Sequence, residues 1–202
     1  MADNNKQYTD PRILRTRILI KEAFVHLLQE MEIEKMSVSR IAERATISRV
    51  TFYLHYRDIP DMLEKMADEM IEDIQHVLDS ESVKKESSED ADWFMILRLL
   101  EHIAENHKFY KVILASKKVP IFTERLSKLM AEIITSRLEH LGSNSFSYKA
   151  GIQKDIAIWH GSSALLGTIV FWLRNDMPYT PHFLAKQLFS LFNAHNQDKS
   201  FK

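Results

Sequence analysis

The chain has 202 residues, 45% of them hydrophobic and 27% charged, and its 27 Lys/Arg against 28 Asp/Glu give a formal net charge of −1. That length allows one large or two small domains and a sizeable core. It contains no cysteine, which excludes disulfides, thiolate zinc sites and cysteine nucleophiles; its four glycines all lie at or beyond Gly142, which disfavours phosphate loops and tight hairpins and favours helices.

The charge divides unevenly. Residues 1–57 carry ten Lys/Arg and seven Asp/Glu, net +3, whereas residues 58–202 carry seventeen and twenty-one, net −4. Between 58 and 106 four basic residues meet fifteen acidic ones, so a polyanion is repelled from that flank and directed to the N-terminal end. The start MADNNKQYTD has no apolar segment and no apolar run approaches a membrane span, so a soluble, unexported, cytoplasmic protein with no membrane partner is expected.

Asp10-Pro11 reads as an N-cap followed by proline in the first turn, opening a helix to about Glu30 with Ile20, Ala23, Phe24, Leu27, Leu28 and Met31 on one stripe. Arg12, Arg15, Arg17 and Lys21 decorate its start. Ser37 opens a short helix to about Arg44, with Val38, Ile41, Ala42 and Ala45 along an apolar stripe, and Ala45-Thr46-Ile47 breaks it. Ser48 then caps a second short helix, RVTFYLHY, in which Val50 and Leu54 are expected to face inward while Arg49, Thr51, Tyr53 and His55 point away. Two short helices around a tight turn, the second with a polar and aromatic outer face, form the pattern of a helix-turn-helix whose second helix enters the DNA major groove.

The run IAERATISRVTFYLHYRD, preceded by KEAFVHLL on an amphipathic helix, closely resembles the DNA-binding segment of the TetR family of bacterial transcriptional regulators (the TetR/AcrR type), over roughly the first third of the chain. The family's Ile-Ala pair, turn Gly, Ser, Thr-aromatic-Tyr run, His or basic residue and closing aromatic correspond here to Ile41-Ala42, Thr46, Ser48, Thr51-Phe52-Tyr53, His55 and Tyr56. Thr46 departs from the pattern. A β-branched residue at positive φ is an outlier, so either the turn is built differently or it carries strain. The Lys usual soon after the motif is also missing, and Arg57 stands nearby.

The resemblance implies a homodimeric, ligand-responsive repressor that binds a palindromic operator in double-stranded DNA and is released by a small-molecule effector. It implies no catalysis and no cofactor. The alternative is a TetR-like coactivator that works through protein partners without binding operator DNA. The DNA-contacting candidates are Ser37, Ser39, Arg40, Ser48, Arg49, Thr51, Tyr53, His55, Tyr56 and Arg57. Arg49 can read a guanine edge bidentately, Thr51 can meet a thymine methyl, Tyr53 and His55 can donate to phosphate, and Ser37 and Ser39 can offer donors to phosphate at the preceding helix start. Phe52 reads as core, and Tyr56 either contacts DNA or staples this helix to the next. His102 and His107 are five apart and no His-x-x-x-His occurs, so no metal site is expected.

Asp58 caps the next helix, with Pro60 in its first turn and Leu63, Met66, Ala67, Met70, Ile74, Val77 and Leu78 repeating at threes and fours. SESVKKESSEDAD, residues 80–92, reads as a surface loop. Helices follow over Trp93 to Ala104, from His107, and from Pro120 to Leu141 with Gly142 closing it; SNSFSY reads as a loop. The most apolar helix runs from Gly151 to about Asn175, and Thr180-Pro181 starts the last. The expectation is an all-α fold of about nine helices: a three-helix helix-turn-helix domain over 8–68 and a helical effector-binding and dimerisation domain over 69–202.

Within the second domain, Trp93, Phe94, Tyr110, Phe122 and Trp159, with His160 as a polar group, line an effector pocket or form plain core. The last two helices are the candidate dimer interface: Gly161 and Gly167 allow close approach, and Leu165, Ile169, Leu173, Leu184, Leu188, Leu191 and Phe192 fill the seam or the monomer core.

Overall fold

The structure is a computed structural model that describes residues 10–79, 88–116 and 118–197. Ten α-helices and no strand occur among the described residues: α1 Pro11–Glu30, α2 Val38–Arg44, α3 Arg49–His55, α4 Ile59–Leu78, α5 Ser88–Glu105, α6 His107–Tyr110, α7 Pro120–Leu141, α8 Phe146–Lys149, α9 Lys154–Arg174 and α10 Pro181–Gln197. The chain divides into two compact units, Met1–Met66 and Ala67–Lys202, with the boundary inside α4.

In the first unit, side-chain caps fix the helix starts. Asp10 accepts from the Arg12 N–H, Ser37 from that of Arg40, Ser48 from that of Thr51, and Asp58 from that of Asp61. Each supplies a partner for an amide that the helix itself leaves without one. Ile20, Phe24, Leu27, Leu28, Ile41, Phe52, Tyr56 and Met62 are buried and hold α1 to α3 and the start of α4 in place. The Arg44 guanidinium adds a bidentate pair to Glu30, at 2.8 and 2.7 Å, between α2 and α1.

The second unit is built on two packed pairs, α7 with α9 and α5 with α10. Leu100, Ile103, Phe122, Leu126, Ile169 and Ala185 are its inward residues. After α6 the chain widens into a π-turn over Lys111–Ala115 that lies against α7 and α9 and buries Val112, Ile113 and Leu114 in succession.

Three expected boundaries shift. Residues 88–92, expected as loop, begin α5, while 80–87 lie outside the described residues. SNSFSY is a 3-10 turn followed by α8, because the Ser145 hydroxyl accepts from the Tyr148 N–H and caps that short helix. The apolar helix begins at Lys154 rather than Gly151, since Gly151 sits at φ 69° and closes the preceding turn through its N–H to the Tyr148 carbonyl. By length and composition α9 is long and apolar enough to cross a membrane, contrary to the expectation that no run approaches that length. Its stripe of Gly161, Leu165, Ile169 and Leu173 is buried inside the second unit, while Ile156, Trp159 and Phe171 on the same helix are exposed.

Candidate nucleic-acid interface

The turn between α2 and α3 is made by Thr46 at φ 56°. Its N–H donates to the Glu43 carbonyl at 3.1 Å and the Ile47 N–H to the Ala42 carbonyl at 2.9 Å, the paired bonds that end a helix through one left-handed residue. The turn is therefore a left-handed helix end with a β-branched residue in the position that suits glycine. Ser48 follows at once and starts α3: its hydroxyl accepts from the Thr51 N–H at 3.0 Å and lies 2.9 Å from the Thr51 hydroxyl.

The face that α3 buries differs from the expected one. Val50 and Leu54 are 70% and 79% exposed, while Phe52 and Tyr56 are at 0% and 1%. Both pairs have the same i,i+4 spacing, so spacing cannot choose between them; two aromatic rings bury more apolar area than Val and Leu, and they take the inward face. Their centroids are 5.6 Å apart. Tyr56 is thus a packing residue, and its place among the DNA-contacting candidates is corrected.

The other candidates fall into two groups. Ser39, Arg40, Arg49, Tyr53 and Arg57 are exposed. The hydroxyls of Ser37 and Ser48 cap α2 and α3, and Thr51 and His55 are half-buried. Arg40 additionally reaches the Met31 sulfur, 3.6 Å away. Burial, reinforced by the positive charges of Arg17 and Lys65, holds the His55 imidazole below its ordinary 6.5, so near neutral pH it offers a neutral N–H donor.

Sequence reading missed Asp61, which organises the exit from α3. The Arg57 N–H and Nε donate to its two oxygens at 3.0 Å each, and the Lys65 ammonium donates to it at 3.0 Å. Lys65 also donates to the His55 carbonyl at 3.2 Å and lies 5.5 Å over the Tyr56 ring. The N–H of Arg57, with Lys65 beside it, lowers the Asp61 carboxyl to about 2. The available signal was the spacing of Arg57, Asp61 and Lys65 at successive fourth positions.

Among the described residues of the second unit, Tyr110 and Phe122 share ring contacts through Phe109, and Trp93 meets the rings of α10. Tyr110 and Phe122 are buried; the Tyr110 hydroxyl lies 2.8 Å from His102 Nε2, and Phe122 meets Phe109 edge to face at 6.1 Å. Burial, with Asp73 nearby, pushes the Tyr110 hydroxyl well above its ordinary value and keeps it a neutral hydrogen-bonding group. Trp93 stands edge-on to His182 and Phe189 of α10, at 5.2 and 6.0 Å, and Phe94 is half-buried. Trp159, 64% exposed, and the exposed His160 lie on the outward side of α9.

The interface candidates separate by helix face. Gly161, Leu165, Ile169 and Leu173 are buried within the unit, and a Cβ on Gly161 would meet Ile134 Cδ1 of α7 at 3.0 Å. Leu184 and Leu188 are likewise buried in α10. These six are buried in the unit: positions 161, 165, 169 and 173 follow one stripe of α9 at 100° per residue and α9 packs with α7, while Leu184 and Leu188 lie on α10, which packs with α5. Gly167 and Leu191 remain outward, and the side chain of Phe192 lies outside the described residues. The outward stripe of α9 consists of Ile156, Trp159, Ser163, Gly167 and Phe171, with Phe171 69% exposed.

Two capped short helices around a left-handed turn, on the net-positive end of the chain, define a helix-turn-helix protein. Residues 91–194 match the family model described as a transcriptional regulator C-terminal region, and the chain belongs to the TetR family of transcriptional regulators. It is 21% identical over 180 residues to the uncharacterized HTH-type transcriptional regulator YxbF of Bacillus subtilis strain 168; the match covers 85% of this chain and 43% of YxbF, so the chain spans less than half of that relative's length. Among solved structures, the fatty acid degradation regulator FadR of Bacillus halodurans aligns with a TM-score of 0.70 and 16% identity, over 90% of this chain and 94% of its own. FadR of Bacillus subtilis in complex with stearoyl-CoA aligns with a TM-score of 0.66 and 21% identity, over 87% and 96%. At such identities these structures establish the fold.

Proposed function

We propose that the protein is a homodimeric transcriptional repressor that docks α3 of each protomer into the major groove of a palindromic operator and is released by a small-molecule effector. The observation that carries this reading is the outer face of α3. Arg49 and Tyr53 project from it one turn apart, Ser48 fixes its start, and no acidic residue occurs from Ala45 to Arg57. Arginine suits a guanine edge and tyrosine a phosphate oxygen.

The outward stripe of α9 supports the homodimer. A second copy would cover Trp159 and Phe171, and two protomers would present half-sites roughly 34 to 36 Å apart or a multiple of that. A dimer seated on both half-sites occludes the duplex, which is why we assign repression. The effector would be held by the second unit. Because Bacillus subtilis FadR was solved with stearoyl-CoA, acyl-CoA thioesters are the first class to test as releasing ligands. Operator binding places the protein with the chromosome, in the cytoplasm.

The experiment is binding of the purified protein to the DNA upstream of its own gene, across a salt series, beside an Arg49→Ala/Tyr53→Ala double variant. The expected result is sequence-specific, steeply salt-dependent binding as a dimer, weakened by about 2 kcal/mol or more in the variant. A folded dimer with no specific affinity would overturn the reading in favour of the coactivator alternative.

A further inference from the structure

The outer face of α3 carries two parallel i,i+4 pairs. One is polar, Arg49 and Tyr53; the other is aliphatic, Val50 and Leu54. Phe52 and Tyr56 take the inward face, so Val50 and Leu54 contribute little to holding the unit together and leave their side chains in solvent. An aliphatic pair at the centre of such a face suits a partner that is apolar yet embedded in a polyanion, because its flanks are Arg49 and Tyr53 and the whole stretch from Ala45 to Arg57 lacks a carboxylate. The major groove presents one apolar group among the base edges, the C5 methyl of thymine.

We propose that Val50 and Leu54 are specificity-determining residues that read thymine methyls, one each, within the operator half-site. This rests on the operator-binding reading above and adds to it which base the aliphatic pair selects. Four residues of helix advance about 6 Å, close to two base steps of about 3.4 Å, so the two thymines lie about two base pairs apart. Thr51, the residue expected to meet a thymine methyl, lies between Val50 and Leu54 on the helix, half-buried and with its hydroxyl against Ser48, so these two offer the larger exposed apolar surface.

The test selects duplexes from a randomised pool with the full-length protein and then remakes the enriched duplex with deoxyuridine in place of each thymine in turn. That exchange deletes one methyl and leaves every hydrogen-bonding edge intact. Two positions per half-site, about two base pairs apart, are expected to lose about four-fold in affinity on losing the methyl. Leu54→Ala is expected to abolish the thymine-to-uracil difference at one of them and Val50→Ala at the other, with thermal melting of both variants unchanged because both side chains are exposed. An enriched duplex that binds equally with uracil throughout overturns this inference and leaves operator binding standing. The same holds if discrimination persists in both variants, and the aliphatic pair then becomes a surface for a protein partner. If the folded protein enriches no sequence, the operator reading fails and this inference fails with it.

Discussion

Thr46 holds φ at 56° because that conformation satisfies two amides at the end of α2, through the Glu43 and Ala42 carbonyls. A β-branched residue there costs about 1–2 kcal/mol against glycine, while glycine in its place gives back less than about 1 kcal/mol through its freer unfolded chain. Thr46→Gly is therefore expected to stabilise the protein, raising the midpoint of thermal unfolding by about 2–4 °C for a chain of this size. A lowered midpoint would mean that the exposed threonine side chain holds a contact worth more than the strain. At this scale the sequence was informative: the departure from glycine was visible in it, but the sign of φ came from the paired hydrogen bonds.

At the junction of α3 and α4, Asp61 joins the Arg57 amide, the Arg57 guanidinium and the Lys65 ammonium, and so sets how the chain leaves the recognition helix. Its folded value, about 2, lies below the ordinary 3.8. A carboxyl lowered on folding contributes stability that is fully present above its unfolded value and is lost as pH falls toward its folded one. Asp61→Asn should therefore lower the melting temperature at neutral pH, with the gap to the parent closing as pH falls from about 4 to about 2. A gap that stays constant across that window would show that the carboxylate charge is not the operative feature. The caps on Asp10, Ser48 and Asp58 were legible in the sequence because a cap involves only the next three residues. The inward face of α3 was legible only in part: Phe52 was read as core and is buried, but Val50 and Leu54 were expected to face inward and Tyr56 was left open, since 50/54 and 52/56 have the same spacing.

Across the molecule, charge is divided along the chain, net +3 over residues 1–57 and net −4 over 58–202, so a polyanion is drawn to the N-terminal end. In the proposed dimer a second copy sits on the outward stripe of α9. Phe171→Glu, on the outward stripe of α9, is expected to convert dimers to monomers in sedimentation or light scattering while melting changes little beyond the loss of dimerisation. Ile169→Ala, on the inward stripe, is expected to cost about 2–4 kcal/mol of stability through the cavity it leaves. A Phe171→Glu protein that remains dimeric would remove the outward stripe of α9 as the interface.

The sequence by itself determined the helical class, the starts and ends of α1, α2, α3 and α7, and the helix-turn-helix register, because those depend on caps, periodicity and turn residues within a few positions of each other. Only the tertiary structure decided which stripe of an ambiguous helix faces inward. It assigned Val50 and Leu54 to solvent, Tyr56 to the core, and the Gly161, Leu165, Ile169 and Leu173 stripe to α7 in place of a partner chain. The reason is physical: periodicity states that two residues share a face, whereas the choice of buried face is a competition for apolar area among elements distant in sequence, and that competition is resolved only when they pack.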